Sequence, residues 1–309
     1  MNSRLATPVV IVITCLIALP ATAAGTVAGG DAVLVDQIPD GPHRVGTVPS
    51  YDRPGSADDN SAADDFTVPK GRTYTIHGIH ATGFAIDGGG TVAVNVTLFS
   101  DASGRPGRVL YFRQETPENG TCSDGNQCVL DAPLLEPRRL KPGNYWFSAQ
   151  AVGDFVWRWA VTPDGSRPLG AAAVWENPEG GLGVGCRDWT RVVDCTWTNA
   201  SNGTDLWYLL RGEVTDSRFS LRHFEGTGRK LSIAASFIST GMLDVKGKNI
   251  ERDRLRVAAG RRRVPLALTD AARRDLDQGE NVTVRLRAAF TATGGVPYKQ
   301  TASTTLRAD

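Results

Sequence analysis

Seven tryptophans, Trp146, Trp157, Trp159, Trp175, Trp189, Trp197 and Trp207, fall within 62 residues of this 309-residue chain. An indole can fill a core, or it can lie exposed and stack its apolar face on a sugar ring. Trp157 and Trp159 share a strand face with Phe155 and Val161, so a sandwich core or its rim is the preferred expectation for them. Trp189 and Trp197 stand differently, because they bracket Cys186 and Cys195 behind the glycine-rich run 180–185. Loops are where sandwiches carry binding residues. There Asp188, Arg187 and Asn199 could add directed hydrogen bonds to a bound glycan.

Other chemistry has less to work with. The four histidines are His43, His77, His80 and His223. His77 and His80 sit three apart in a strand-like run, which sends them to opposite faces and separates them as ligands for one metal. No Gly-x-Ser-x-Gly elbow, His-Glu-x-x-His pair or phosphate-cradling glycine loop with its lysine occurs. Glu176 and Glu179 are possible glycosidase carboxylates, but spacing alone does not select them. A triad assembled from distant residues is defined by geometry rather than by sequence, so it stays open. The acids Asp58, Asp59, Asp64, Asp65, Asp101 and Asp124 lack the spaced loop and distal glutamate of a calcium motif and are expected in solvated turns. No catalytic residue, metal or cofactor is therefore expected, and a hydrolase is the third-ranked reading.

Compartment comes from the N-terminus. Arg4 precedes an apolar run over 9–19, too short to span a bilayer, and Pro20 leads into the small residues Ala21, Thr22, Ala23 and Ala24. Residues 1–24 thus read as an export signal, and Cys15, behind Thr14 inside the apolar run, lacks the context of a lipid-attachment site. No transmembrane segment is expected after cleavage, and the protein is placed in the extracellular space, in association with the cell wall if it is tethered. An oxidising compartment pairs thiols. Four mature cysteines allow three connectivities, and sequence proximity favours Cys122 with Cys128 and Cys186 with Cys195. Zinc is disfavoured by spacings of five and eight intervening residues.

The elements that must position these groups are strands. Over 91–98, Val92, Val94, Val96 and Leu98 fall on one face and Ala93, Asn95 and Thr97 on the other. Similar runs occur at 73–79, 109–113, 144–150, 155–161 and 206–211, separated by turn formers such as Asp101-Ala102-Ser103-Gly104 and Pro142-Gly143. The alternation resumes at Leu231, Ile233, Ala235 and Phe237 and again at Val282, Val284 and Leu286. One helical turn is expected near 270–276, closed by Gly279. The fold class is all-β: a loosely structured lead-in over 25–60, a tryptophan-rich antiparallel sandwich of jelly-roll type over 61–215, and a smaller Ig-like sandwich over 216–309.

Charge divides at the same place. Residues 25–215 carry 15 basic and 23 acidic side chains, whereas 216–309 carry 18 and 10. A basic exported module could meet an anionic cell-wall polymer or acidic glycan, though soluble arginine-rich strands are the simpler reading. Nucleic acid is not an expected partner.

The stretches 241–248, 258–269 and 290–295 resemble the Ig-like domains of secreted proteins from high-GC bacteria, which implies a spacer or adhesion module without catalysis. The stretches 63–69, 100–107 and 140–146 resemble β-sandwich domains of exported bacterial surface proteins, which implies no particular activity. Together these features predict a non-catalytic secreted or cell-surface protein with a structural or adhesive role. A glycan-binding module using the 180–200 loop is the main alternative.

Overall fold

The computed structural model describes residues 31–39, 46–86, 88, 90–118, 121–122, 127–161, 170–195, 205–226 and 230–308. The expected export signal at 1–24 lies outside the described residues. Strands account for almost every regular element, as expected of an all-β chain, and Asp270–Asp277 is the one α-helix among the described residues. No helix there is long and apolar enough to cross a membrane.

Two large sheets are built from residues 32–216, beside a two-stranded pairing of Gly90–Thr91 with Thr121–Cys122. The first places Ala32–Asp36, Tyr208–Asp216, Arg72–Ile86, Val156–Val161 and Gly46–Pro49 in that order, with Gln127–Leu140 also paired to Arg72–Ile86. The second runs Thr190–Arg191, Val174–Glu176, Ser61–Val68, Gly143–Val152, Ala93–Asp101 and Pro106–Glu115, and Tyr51–Asp52 adds a parallel pairing with Gly143–Val152. Alternation decides what lies between them. Ile76, Ile79, Leu130, Trp157, Trp159 and Tyr208 from the first sheet share one hydrophobic cluster with Phe66, Leu98 and Phe147 from the second. Phe147 meets Trp159 edge-on at 5.6 Å between ring centroids. Close packing also explains Gly83, where a side-chain carbon would sit 2.5 Å from the Trp157 ring.

Residues 219–306 form a second sandwich with its own core. Its three-stranded sheet orders Phe219–Glu225, Leu231–Phe237 and Gly260–Leu266, and its four-stranded sheet orders Ile250–Val257, Gly241–Lys248, Val282–Ala292 and Tyr298–Leu306. Phe219, Phe237 and Phe290 stack at its centre, with Phe219 and Phe237 only 7° from parallel. The helix starts where Thr269 accepts a hydrogen bond from the Ala272 N–H and ends before Gly279 at φ +83°.

Polar contacts join the two sandwiches at 216–218. Asp216 receives the guanidiniums of Arg72 (3.0 Å) and Arg218 (2.6 Å), and the Ala292 N–H donates to Ser217 Oγ (3.0 Å). Burial alone would raise the Asp216 carboxyl, yet hydrogen bonds from Arg218 and Arg72 hold it below the usual carboxylate range.

Three sequence expectations need correction. The stretch 25–60 is not a loose lead-in throughout, because Ala32–Asp36, Gly46–Pro49 and Tyr51–Asp52 are strands within the first sandwich. These strands are short and joined through glycine and proline, so their pairing depends on distant partners rather than local pattern. The 14-residue strand Gln127–Leu140 was also missed. Pro133 and Pro137 argue against a strand, and the structure accommodates them with a register shift between Pro133 and Arg138. Asp64 and Asp65 do not occupy a solvated turn but lie buried on the strand Ser61–Val68.

Candidate functional site

Four tryptophans are completely buried: Trp146, Trp157, Trp159 and Trp175. Each donates its indole N–H within the protein: Trp146 to Asp101 Oδ1 (2.9 Å), Trp157 to the Cys128 carbonyl (3.1 Å), Trp159 to the Trp207 carbonyl (2.9 Å) and Trp175 to the Pro49 carbonyl (2.8 Å). A buried indole needs such a partner, because an orphaned N–H would carry its full desolvation cost. Their apolar faces are packed against protein, so they offer no platform to a ligand.

Trp189 is half-buried and meets Phe99 edge-on at 5.7 Å, on the outer face of the seven-stranded sheet beside Trp146 and Ala63. Arg187 and Asp188 are exposed next to it. Trp197 and Asn199, expected to complete this site, lie outside the described residues. The loop is closed by the bond between Cys186 and Cys195, with a Cα separation of 6.1 Å, while Cys122 is bonded to Cys128 in a separate loop, with a Cα separation of 5.1 Å. Asn177 is fully buried and pins the glycine-rich turn, donating to the Asp59 carbonyl (2.7 Å) and accepting from the Leu182 N–H (3.2 Å). Glu176 lies on the strand leading into this loop, and burial, followed by the charge of Asp188, pushes its carboxyl up to about 7. It can therefore act as hydrogen-bond donor or acceptor near neutral pH.

A second acid group is structural in placement. Asp64 points into the sandwich core, where it accepts from the backbone N–H groups of Leu206 (2.7 Å) and Asp65 (2.9 Å). Burial, and then the neighbouring Asp205, raise its carboxyl well above the ordinary range. Asp65 points to the opposite face and accepts from the Ala171 N–H (2.7 Å). Burial pushes Asp65 up to about 6, with Asp205 and Asp101 adding to the rise and the Ala171 hydrogen bond opposing it. His77 and His80, expected on opposite faces, both lie away from the core, because the strand is bulged between Ile76 and Gly78 and brings Ile76 and Ile79 to the same side. The described histidines go to separate acids: His77 to Asp31 (2.8 Å), His80 to Asp131 (3.1 Å) and His223 to Glu225 (3.0 Å). No metal-binding group of three His, Cys, Asp or Glu side chains occurs among the described residues.

The second sandwich carries a different surface. Its four-stranded sheet bears on its outer face a concavity of about 920 Å³, into which Lys246, Arg254, Arg256, Arg287 and Lys299 project with Asp244 as the only acid among its lining residues. Asp244 is already engaged by Arg252 at 2.8 Å, and hydrogen bonding to that guanidinium keeps its carboxyl below the usual range. The floor is kept low by small side chains, Ala289, Thr291 and Thr301. Neither a family model nor a curated protein matches the chain.

Proposed function

We propose that this protein acts outside the cell as a non-catalytic structural or adhesive component, with a rigid tryptophan-cored sandwich followed by a smaller basic sandwich. The observation that carries this reading is the fate of the indoles. Four of them are fully buried with their N–H groups bonded internally, so they consolidate the first sandwich. Two disulfides that each close a short loop support an oxidising compartment. The division of the second sandwich into three and four strands supports its likeness to Ig-like spacer modules.

Fractionation of a culture expressing the full chain tests the compartment and the adhesion together. The expected result is a protein in the medium and the envelope pellet, with no thiol reactive in the absence of reductant. A cytoplasmic protein whose cysteines titrate freely overturns the reading.

One observation favours glycan binding as a second reading. Glu176, Asp188 and half-exposed Trp189 lie around one disulfide-closed loop, a combination suited to contacting sugar hydroxyls and an apolar ring face. Saturable quenching of tryptophan fluorescence by a neutral polysaccharide, lost in Trp189→Ala, would establish it. A flat response across such polysaccharides rejects it.

A further inference from the structure

The outer face of the four-stranded sheet in the second sandwich is assembled against its own stability. Register places Lys246 directly opposite Arg287 and Lys248 directly opposite Arg285 on adjacent strands. Side chains opposite one another in an antiparallel pair share a face with Cβ atoms about 4.5–5.5 Å apart, and like charges there repel. The next row along places Arg254 opposite Asp244, and Asp244 in turn opposite Ala289, which faces Lys299. Among the described residues, Lys246, Lys248, Arg254, Arg256, Arg285, Arg287 and Lys299 form no ion pair, and all seven are exposed. Two other acids of this sandwich are engaged elsewhere: Glu225 by His223 and Arg263, and Glu251 by Arg273.

Seven unpaired cations on one sheet face, arranged around a concavity with a floor of small residues, form a surface completed by an external anion. Its dimensions indicate the kind. Neighbouring charges are separated by one strand spacing, about 4.8 Å, or by two residues along a strand, about 6.8 Å. A compact anion would engage one or two of them, whereas a linear polymer with a charge on each repeat can engage the whole row. Guanidiniums at Arg254, Arg256 and Arg287 can each take a carboxylate or phosphate oxygen pair through two parallel hydrogen bonds. No aromatic side chain lines the concavity, so bases would find no stacking platform.

We infer that this face binds a linear cell-envelope polymer with an anionic group on each repeat, and that the second sandwich thereby anchors the first. The inference rests on the adhesive reading above and supplies its contact surface. Uronate carboxylates and backbone phosphates present the same chemistry to the face, so probes of both kinds are used.

The test is equilibrium binding of the mature chain to polygalacturonate and to long-chain polyphosphate, with dextran and double-stranded DNA as comparisons, between 50 and 200 mM salt. With five concavity cations engaged, and a counterion-release slope of about 0.7 per contact as for a flexible charged strand, affinity should fall about a hundredfold over that range. Arg287→Glu and the pair Arg254→Gln, Arg256→Gln should each weaken binding at least tenfold while leaving circular dichroism unchanged. Preference for polygalacturonate or for polyphosphate identifies the charged group. Binding that prefers DNA, that ignores salt, or that survives both variants overturns the inference. Retention of the wild type and of Arg287→Glu alike in envelope pellets overturns the inference but leaves the adhesive reading standing. Polymer binding by a protein that envelopes do not retain overturns the anchoring role and the adhesive reading but leaves the polymer-binding face standing.

Discussion

Arg287→Glu should make the protein more stable, an unusual expectation for a change at a proposed binding residue. Arg287 occupies a central strand, opposite Lys246, two residues from Arg285 and diagonal to Lys248. Two further diagonal neighbours, Asp244 and Lys299, carry opposite charges and offset each other. Two unit charges about 6 Å apart at the protein surface interact by about 0.7 kcal/mol in water. Physiological salt, with a screening length near 8 Å, reduces this to roughly 0.3 kcal/mol. Reversing the sign at 287 turns the repulsion from Lys246 into attraction, a swing of about 0.6 kcal/mol, and Arg285 and Lys248 contribute smaller swings in the same direction. Allowing a few tenths for the poorer strand propensity of glutamate, the net gain is about 1 kcal/mol. That corresponds to a rise of roughly 4–8 °C if a sandwich of this size unfolds as a unit. Every tryptophan falls within 146–207, ahead of the second sandwich in sequence, so fluorescence is a poor reporter of the change. Far-ultraviolet circular dichroism during urea unfolding, with hydrogen exchange followed across 219–306, is the suitable assay. The gain should shrink in 1 M salt. A variant less stable than the wild type at low salt would show that these cations do not oppose the fold, and the electrostatic case for the face would fail.

Further expectations concern the first sandwich and the helix. The Asp65 carboxyl titrates near 6 in the fold against 3.8 as its ordinary value, so the folded state holds the proton more tightly. Its ionisation therefore costs stability progressively from about pH 4 to pH 6, by up to about 3 kcal/mol. Asp65→Asn keeps an oxygen for the Ala171 N–H and should gain about 1–3 kcal/mol at pH 8 and nothing at pH 4 in chemical unfolding; an equal effect at both pH values would contradict this. Replacing Cys186 and Cys195 with serine opens a link of sequence separation 9 and should cost about 2.5 kcal/mol by the chain-entropy relation, measured as a lower urea midpoint with an unchanged fold. Thr269→Ala removes the acceptor for the Ala272 N–H and should cost about 1 kcal/mol, read from faster exchange of amides in 270–277.

Alternation made much of this architecture legible before any coordinates. Val92, Val94, Val96 and Leu98 are all buried, and the paired indoles Trp157 and Trp159 lie in the core as their shared face implied. The helix Asp270–Asp277 was visible as a short charged run closed by Gly279, though as a single turn, and the Thr269 cap came only from the structure. What escaped depended on partners distant in sequence. Gln127–Leu140 tolerates its prolines only because Arg72–Ile86 supplies a bulged register, and Ala32–Asp36 is a strand because Tyr208–Asp216 lies beside it. Asp64 resembles a surface acid in sequence, and its burial is made tolerable by the backbone N–H groups of Leu206 and Asp65 together with a carboxyl raised toward its neutral form. Of the proposed loop site, Arg187, Asp188 and Trp189 come together, but Trp189 is held against Phe99 rather than standing free.

The basic face was half visible. Lys246 and Lys248, Arg252, Arg254 and Arg256, and Arg285 and Arg287 each alternate at period two, a signal that they share a side of their strands. Net charge alone favoured the simpler reading of soluble arginine-rich strands. Strand order and register were needed to bring the three sets onto one sheet and to oppose Lys246 to Arg287.

Hydrogen exchange of the full mature chain with and without saturating polygalacturonate or polyphosphate, localised by peptide, tests most directly whether attachment runs through this face. Protection confined to 241–257 and 282–306, with 170–195 unchanged, is the predicted result. Protection centred on Glu176, Asp188 and Trp189, with the second sandwich unaffected, would contradict the account and move the contact to the disulfide-closed loop.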